Sequence, residues 1–193
     1  MSLLFTVVTP SATPAVSLAD CKLDLRITTS DEDVLILSYI DAASRLASEI
    51  VGRKLINETI KYSISRSSGT VTLPFTPVTS VTEIQYFDAD DISQTLTITD
   101  FHLYNFDEFT QLVPKAGIFW PTVFDRRDAI NITFVAGYGA ASADIPDSIT
   151  KAIRLIVVDW FENRGNDLVG LSKTEITHGA QMLLNVERIG WVA

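Results

Sequence analysis

Pro146-Asp147-Ser148-Ile149-Thr150-Lys151-Ala152-Ile153-Arg154-Leu155-Ile156-Val157-Val158-Asp159-Trp160-Phe161-Glu162-Asn163-Arg164-Gly165 is the stretch on which the fold turns. Pro146 and Asp147 suit the first positions of a helix, where a missing N–H costs nothing and a carboxylate meets the positive end of the helix dipole. Ile149, Ile153, Ile156 and Trp160 recur at helical spacing, Ala152 and Val157 widen the stripe, and Gly165 offers a left-handed stop. A helix over 147–164 would run about 27 Å, the width of a small domain. A segment of this length with one apolar face requires partners, and the sequence upstream supplies them.

Ser30 is placed to cap a helix whose first turn holds Asp31, Glu32 and Asp33. Its stripe is Ile36, Ile40, Ala43, Ala47 and Ile50, with Leu35, Tyr39 and Leu46 alongside, and Gly52 ends it. This 31–52 helix is expected to pack on the 147–164 helix. The expected core is Ile36, Ile40, Ile50, Ile153, Ile156 and Trp160. A shorter helix over 17–26 precedes them, with Ser17 and Asp20 spaced as a capping box and Leu18, Cys21 and Leu25 on one side. Residues 1–16, apolar and then rich in Thr, Ser, Pro and Ala, read as an extended arm.

Between the long helices the period changes from helical to two. Tyr62 and Ile64, Val71 and Leu73, then Val81, Ile84 and Tyr86 alternate with polar residues in Thr-rich surroundings. Thr95–Ile98, Phe101–Tyr104, Thr110–Val113 and Ala129–Val135 add further strands, with Pro74, Pro77, Gly69, Gly117 and the Asp88–Asp91 run at the turns. Connections this short demand antiparallel pairing, because parallel neighbours need long crossovers. The fold class is therefore α+β: a small helical bundle (17–26, 31–52, 147–164), an inserted antiparallel β unit (about 58–136) and an extended C-terminal tail. In domain terms, 1–193 is one domain. It comprises the arm 1–16, a helical core from 17–57 and 146–165, a β insertion 58–145 and a tail 166–193. Within that tail Ala180–Arg188 has the pattern of two helical turns, and Trp191 stands close to the last residue.

Charge narrows the function. With 15 Lys and Arg against 24 Asp and Glu the chain carries a formal −9, which argues against nucleic-acid binding through a broad basic face. The acidity concentrates in residues 58–145, with five basic against eleven acidic residues. One cysteine forms no internal disulfide, and one cysteine with two histidines makes no zinc cluster. Asp159 interrupts the longest apolar run, so no segment reads as membrane-spanning. Leu3–Val8 has the outline of a secretory apolar core but is short and lacks preceding basic residues.

The residues that invite chemistry have plainer readings. Asp88, Asp90 and Asp91 cluster oxygens but lack the glycine and distal Glu of a calcium loop, and an Asp-rich turn accounts for them. His102 and His178 sit in no catalytic context, and no Gly-x-Ser-x-Gly elbow supplies a nucleophile. Cys21 reads as a small buried apolar residue. Gly137-Tyr138-Gly139 lacks the Lys-Ser/Thr pair of a phosphate loop and reads as a turn. Asn57-Glu58-Thr59 and Asn131-Ile132-Thr133 match the glycosylation pattern, the second inside a strand. No catalytic, cofactor-binding or metal-ligating set emerges.

The order of the parts carries a resemblance. Val16–Arg26, Asp31–Ile36, Ala42-Ala43, Gly52–Ile56, Leu73-Pro74, Pro77–Val81, Ile84–Tyr86, Gly117, Trp120-Pro121, Val135–Gly139, Ile145-Pro146 and Trp160–Arg164 run in one sequence. That sequence resembles the head-to-tail connector (adaptor, head completion) family of tailed bacteriophages and prophages, from about Val16 to Arg188. The resemblance implies a non-enzymatic virion protein with no cofactor, assembled in the host cytoplasm. It further implies a ring, often dodecameric, between the portal and the next neck or tail-completion protein. That ring extends a channel through which DNA passes without specific binding. The tail would engage the portal or a neighbour through Met182, Leu183, Leu184, Arg188 and Trp191. It departs from the Leu-Leu-x-Pro-Tyr-Arg-like ending of many relatives, with Leu183-Leu184-Asn185-Val186-Glu187-Arg188 in its place. Asp88, Asp90 and Asp91 are expected to face the channel, where acids repel phosphates. The competing reading is a β-rich ligand-binding module of a soluble bacterial protein, built on Phe101, Tyr104, Phe106, Phe109 and Trp120. A hydrolase using the scattered carboxylates has no supporting spacing.

Overall fold

The computed structural model describes residues 4–163 and 178–190. The chain divides into two compact units, one formed by residues up to 11 with 57–138 and the other by 12–56 with the residues from 139 onward. Trp191 and Gly165 lie outside the described residues.

The β unit opens with strand β1 (Leu4–Thr9), where the sequence suggested an unpaired arm. Its Thr- and Val-rich residues suit a pleated edge, and it pairs antiparallel with β2 (Glu58–Ile64). There follow β3 (Val71–Leu73), β4 (Val78–Phe87), β5 (Ser93–Thr95), β6 (Phe101–Asn105), β7 (Thr110–Pro114) and β8 (Ile130–Ala136). The expected strand over 95–98 is confined to Ser93–Thr95, and a single 3-10 turn (Ile98–Asp100) follows. Five strands form one antiparallel sheet in the order β1-β2-β8-β4-β5, and three form a second in the order β3-β7-β6.

The period-two pattern of β8 explains why it is central. Ile130, Ile132, Phe134 and Ala136 all point to one face and are buried. Register aligns them in rows: Ile64–Ile130–Tyr86, Tyr62–Ile132–Ile84 and Ile60–Phe134–Val81. Irregularities in β4 between Val78 and Ser80 and between Val81 and Glu83 hold those rows in step. Val71, Leu73, Phe101 and Leu112 from the second sheet join the same apolar cluster, as does Trp120, whose Nε1–H donates to Gly69 O at 2.6 Å. Asn131 points to the other face, is buried, and is held by Ser63 Oγ–H at 2.6 Å, so its glycosylation pattern is inaccessible.

The helical unit comprises α1 (Leu18–Leu25), α2 (Asp33–Val51), α3 (Asp147–Glu162) and α4 (His178–Glu187). Ser17 Oγ accepts the Asp20 N–H at 3.1 Å and donates to the Asp20 carboxylate at 2.6 Å, the capping pair read from the sequence. Ser30 does not cap α2. Its carbonyl accepts the Asp33 N–H and closes a turn, which moves the helix start to Asp33. Ile36, Ile40, Ala43, Ala47, Ile149, Ala152, Ile153, Ile156 and Val157 are buried where α2 and α3 meet. Ile50 and Trp160, expected in the core, are half-buried: Val51 takes the inward position at the end of α2, and Trp160 lies edge-on to Tyr39 at 6.3 Å.

The helical turns read over Ala180–Arg188 in the tail are present as α4, and that helix is packed and not extended from the unit. Ser148 Oγ–H donates to the Glu187 carboxylate at 2.7 Å, and Gly179 lies beside Leu155, so α4 runs antiparallel to α3. Ala180 and Leu184 are 0% exposed. Gly52 ends α2 at φ +75°, a conformation that favours glycine, and the Ile189 side chain covers it. The Ile189 N–H donates to Val51 O at 3.0 Å and so satisfies a carbonyl at the end of α2, while Arg53 Nε–H donates to Glu187 O at 3.3 Å and satisfies one at the end of α4.

Candidate functional site

Cys21 is buried in the helical unit, and burial pushes its thiol up to about 11, so the nucleophilic thiolate is scarce at neutral pH. His102 and His178 are exposed and belong to different units. Among the described residues no group of His, Cys, Asp and Glu is arranged to hold a metal ion, and no helix is long and apolar enough to cross a membrane.

Asp88 and Asp91 of the β4–β5 turn have separate jobs. Asp88 Oδ1 accepts the Asp90 N–H at 3.1 Å and the Ile92 N–H at 3.0 Å, while Oδ2 accepts Gln94 Nε2–H at 3.0 Å. Those donors, Gln94 foremost, hold the Asp88 carboxyl below its ordinary range. Asp91 adopts a left-handed conformation at φ 61° and pairs with Arg126 Nη1 at 2.8 Å. Arg126 also clamps Asp128 through Nε and Nη2 at 2.7 and 2.8 Å, lies 3.7 Å above the Phe87 ring, and holds the Asp128 carboxyl low. The acidic turn is thus largely a self-bonded loop with one arginine fixed against it.

The aromatics of the β unit separate into a buried pair and an exposed strip. Phe101 and Trp120 are core, with ring centroids 4.8 Å apart. On the opposite face of β6, His102 and Tyr104 lie 5.7 Å apart, Tyr104 stacks toward Phe106 at 6.5 Å, and Phe106 meets Phe109 at 4.9 Å. Tyr104, Phe106 and Phe109 are 46%, 49% and 36% exposed. The Phe106 N–H donates to Phe109 O, which leaves Asp107 and Glu108 at the tip of the β6–β7 hairpin. The set proposed for a ligand pocket therefore does not converge on one cavity.

Below that tip lies a polar bracket. Asn105 Nδ2–H donates to Val78 O at 2.8 Å, its Oδ1 accepts the Val78 N–H at 3.2 Å, and Thr110 Oγ1–H donates to the same oxygen at 2.7 Å. The buried Thr76 hydroxyl donates to Phe106 O at 3.1 Å. One amide side chain thereby pairs with β4 as a peptide group would and fixes the hairpin base. Its spacing in sequence, 27 residues from Val78, gave no signal.

Of the tail residues expected to meet a partner, Met182 is 60% exposed, Arg188 is exposed and Leu183 is half-buried. Leu184 is interior to the helical unit, where helical spacing from Ala180 places it, and is unavailable to a partner. Trp191 lies outside the described residues. Exposed apolar residues of this unit also include Val186 on α4, Leu23 on α1 and Val34 on α2.

Residues 15–92 match the family model described as Phage gp6-like head-tail connector protein. No curated protein matches the chain. Among solved structures, a chain in the neck of an empty GTA particle computed with C6 symmetry is 23% identical at a TM-score of 0.80, over 98% of this chain and 97% of that one. A chain in the virion of a native gene transfer agent (GTA) particle gives 22% and 0.80 over the same shares. A chain in the neck of a native GTA particle computed with C12 symmetry gives 20% and 0.77, over 100% of this chain and 98% of that one. Both units are thus present, in the same order, in chains of particle necks.

Proposed function

We propose that this chain is a structural, non-enzymatic subunit of the neck of a phage-like particle. It would form a ring, a dodecamer for instance, between the portal and the next neck or tail-completion protein. The ring would extend the DNA channel and offer a platform for tail attachment, after assembly in the host cytoplasm. The observation that carries this reading is the end-to-end likeness to chains in necks computed with sixfold and twelvefold symmetry. The family match over the first helices and early strands supports it independently.

Physical features are compatible with that role. A closed ring needs two different faces of one subunit to meet, and the helical unit exposes apolar side chains on separate helices: Val34 on α2, and Met182 and Val186 on α4. Met182, Leu183 and Arg188 are the proposed contacts to the portal or a neighbour, without Leu184. Asp88, Asp90 and Asp91 remain the proposed channel-facing acids, with the charge of Asp91 offset by Arg126. The test is co-expression with the portal of the same particle, co-purification and imaging of the complex. A ring seated on the portal is expected. A monomer that ignores the portal overturns the proposal.

A further inference from the structure

The β6–β7 hairpin carries the least explained surface of the β unit. Apolar side chains normally turn inward from a strand next to a core, and Phe101 and Leu103 do so. His102, Tyr104 and Phe106 point the other way and, with Phe109, form a row of touching rings in solvent. Large aromatics in contact with one another and left exposed are the composition of binding hot spots, because they bury much area at little cost in side-chain freedom. The row is also preorganised. Asn105, between Tyr104 and Phe106, is bracketed to Val78 through both of its amide atoms, and Thr76 holds the Phe106 carbonyl. A strip fixed in this way loses little further freedom when it binds.

Its charge selects the partner. Asp107 and Glu108 form the tip directly beside the rings, and both are exposed. Stacked aromatics are a platform for single-stranded nucleic acid only when basic residues accompany them, and here the flanking charges are negative. The same carboxylates repel anionic lipid headgroups. A protein surface with an apolar slot rimmed by Lys and Arg fits both features.

We propose that the β6–β7 hairpin is a docking element for the next neck or tail-completion protein. Tyr104, Phe106 and Phe109 enter an apolar slot on that protein, and Asp107 and Glu108 meet its basic rim. This rests on the neck reading above, in which the proposed contacts to the portal or a neighbour belong to the helical unit and the hairpin to the other. The experiment uses the full chain assembled on its portal and the purified next neck protein as the binding probe. Phe106→Ser with Phe109→Ser is expected to weaken binding of the next protein by at least about tenfold while portal binding stays at the wild-type level. Asp107→Lys with Glu108→Lys is expected to weaken it too, with a difference from wild type that shrinks at high salt. Because all four side chains are exposed, unchanged thermal melting separates lost docking from lost folding. Binding of the next protein within twofold of wild type by both variants overturns the assignment with the neck reading intact. So does binding of an oligo-dT probe or of anionic phosphatidylserine vesicles by the wild type that the Phe106→Ser, Phe109→Ser variant loses. A wild-type chain that fails to seat on the portal overturns the neck reading, and the hairpin assignment with it.

Discussion

The helical unit and the β unit solve the same problem, holding together elements far apart in sequence, with different chemistry. Ion pairs do it in the helical unit. Arg154 grips Asp24 through Nε and Nη2 at 2.5 and 2.6 Å and ties α3 to α1, and Lys22 reaches Asp33 at 2.6 Å and ties α1 to α2. In the β unit a neutral amide and hydroxyl network, Asn105 with Val78, Thr76 and Thr110, ties the hairpin base to β4. Its best-placed arginine, Arg126, joins acids of two loops at the periphery instead. The difference is that the ion pairs between helices titrate, whereas the bracket at the hairpin base does not.

The comparison breaks most severely at the two cores. Phe134→Ala should cost about 3–5 kcal/mol and Leu184→Ala about 2–5 kcal/mol, read by chemical denaturation. Loss of this size at Leu184 would establish α4 as core, whereas a near-neutral result would return it to the role of a docking tail. Asn105→Ala comes next. It strands the Val78 N–H and carbonyl and leaves the Thr110 hydroxyl with Thr76 alone, for about 1–3 kcal/mol, with no dependence on acid pH because none of the groups ionises there.

Asp24→Asn is the smallest and the most discriminating. The Arg154 guanidinium holds the Asp24 carboxyl below its ordinary value. A carboxyl depressed by folding stabilises the protein above its unfolded pKa, about 3.9, and that stability is lost as pH falls through the folded pKa. The substitution should therefore cost about 1 kcal/mol at pH 7 for this partly exposed pair. The cost should fade on acidification below about pH 4, measured as the difference between wild-type and variant denaturation midpoints. An unchanged difference at low pH would show that the pair contributes packing and not charge.

The helices were legible because their evidence is local. Ser17 with Asp20, Gly52 and the Ile149–Ile153–Ile156 spacing each specify a turn or a face without reference to distant residues. The central strand was legible for the same reason, since Ile130, Ile132 and Phe134 alternate cleanly. What was not legible depends on long-range partners. Residues 4–9 look like an arm until β2 is placed beside them. Leu184 looks like a contact until α4 is seen to lie along α3 and Ile189 to reach Gly52. Tyr104, Phe106 and Phe109 were legible as aromatics of the β unit, but were grouped with the buried Phe101 and Trp120. Whether Tyr104 and Phe106 face the core or solvent is fixed by the register of β6 on β7, which turns on a single residue.

The clasp between Ile189 and the end of α2 has a consequence for synthesis. Every strand of the β unit has been synthesised once Tyr138 is made, ahead of α3 and α4, so that unit can pair without waiting for them. The helical unit cannot. Helix α2 is made early with its Val51 carbonyl and one apolar face unsatisfied, and must wait more than a hundred residues for the segment that closes it. The chain's layout thus completes the inserted unit in sequence before it supplies the segment that closes the end of α2.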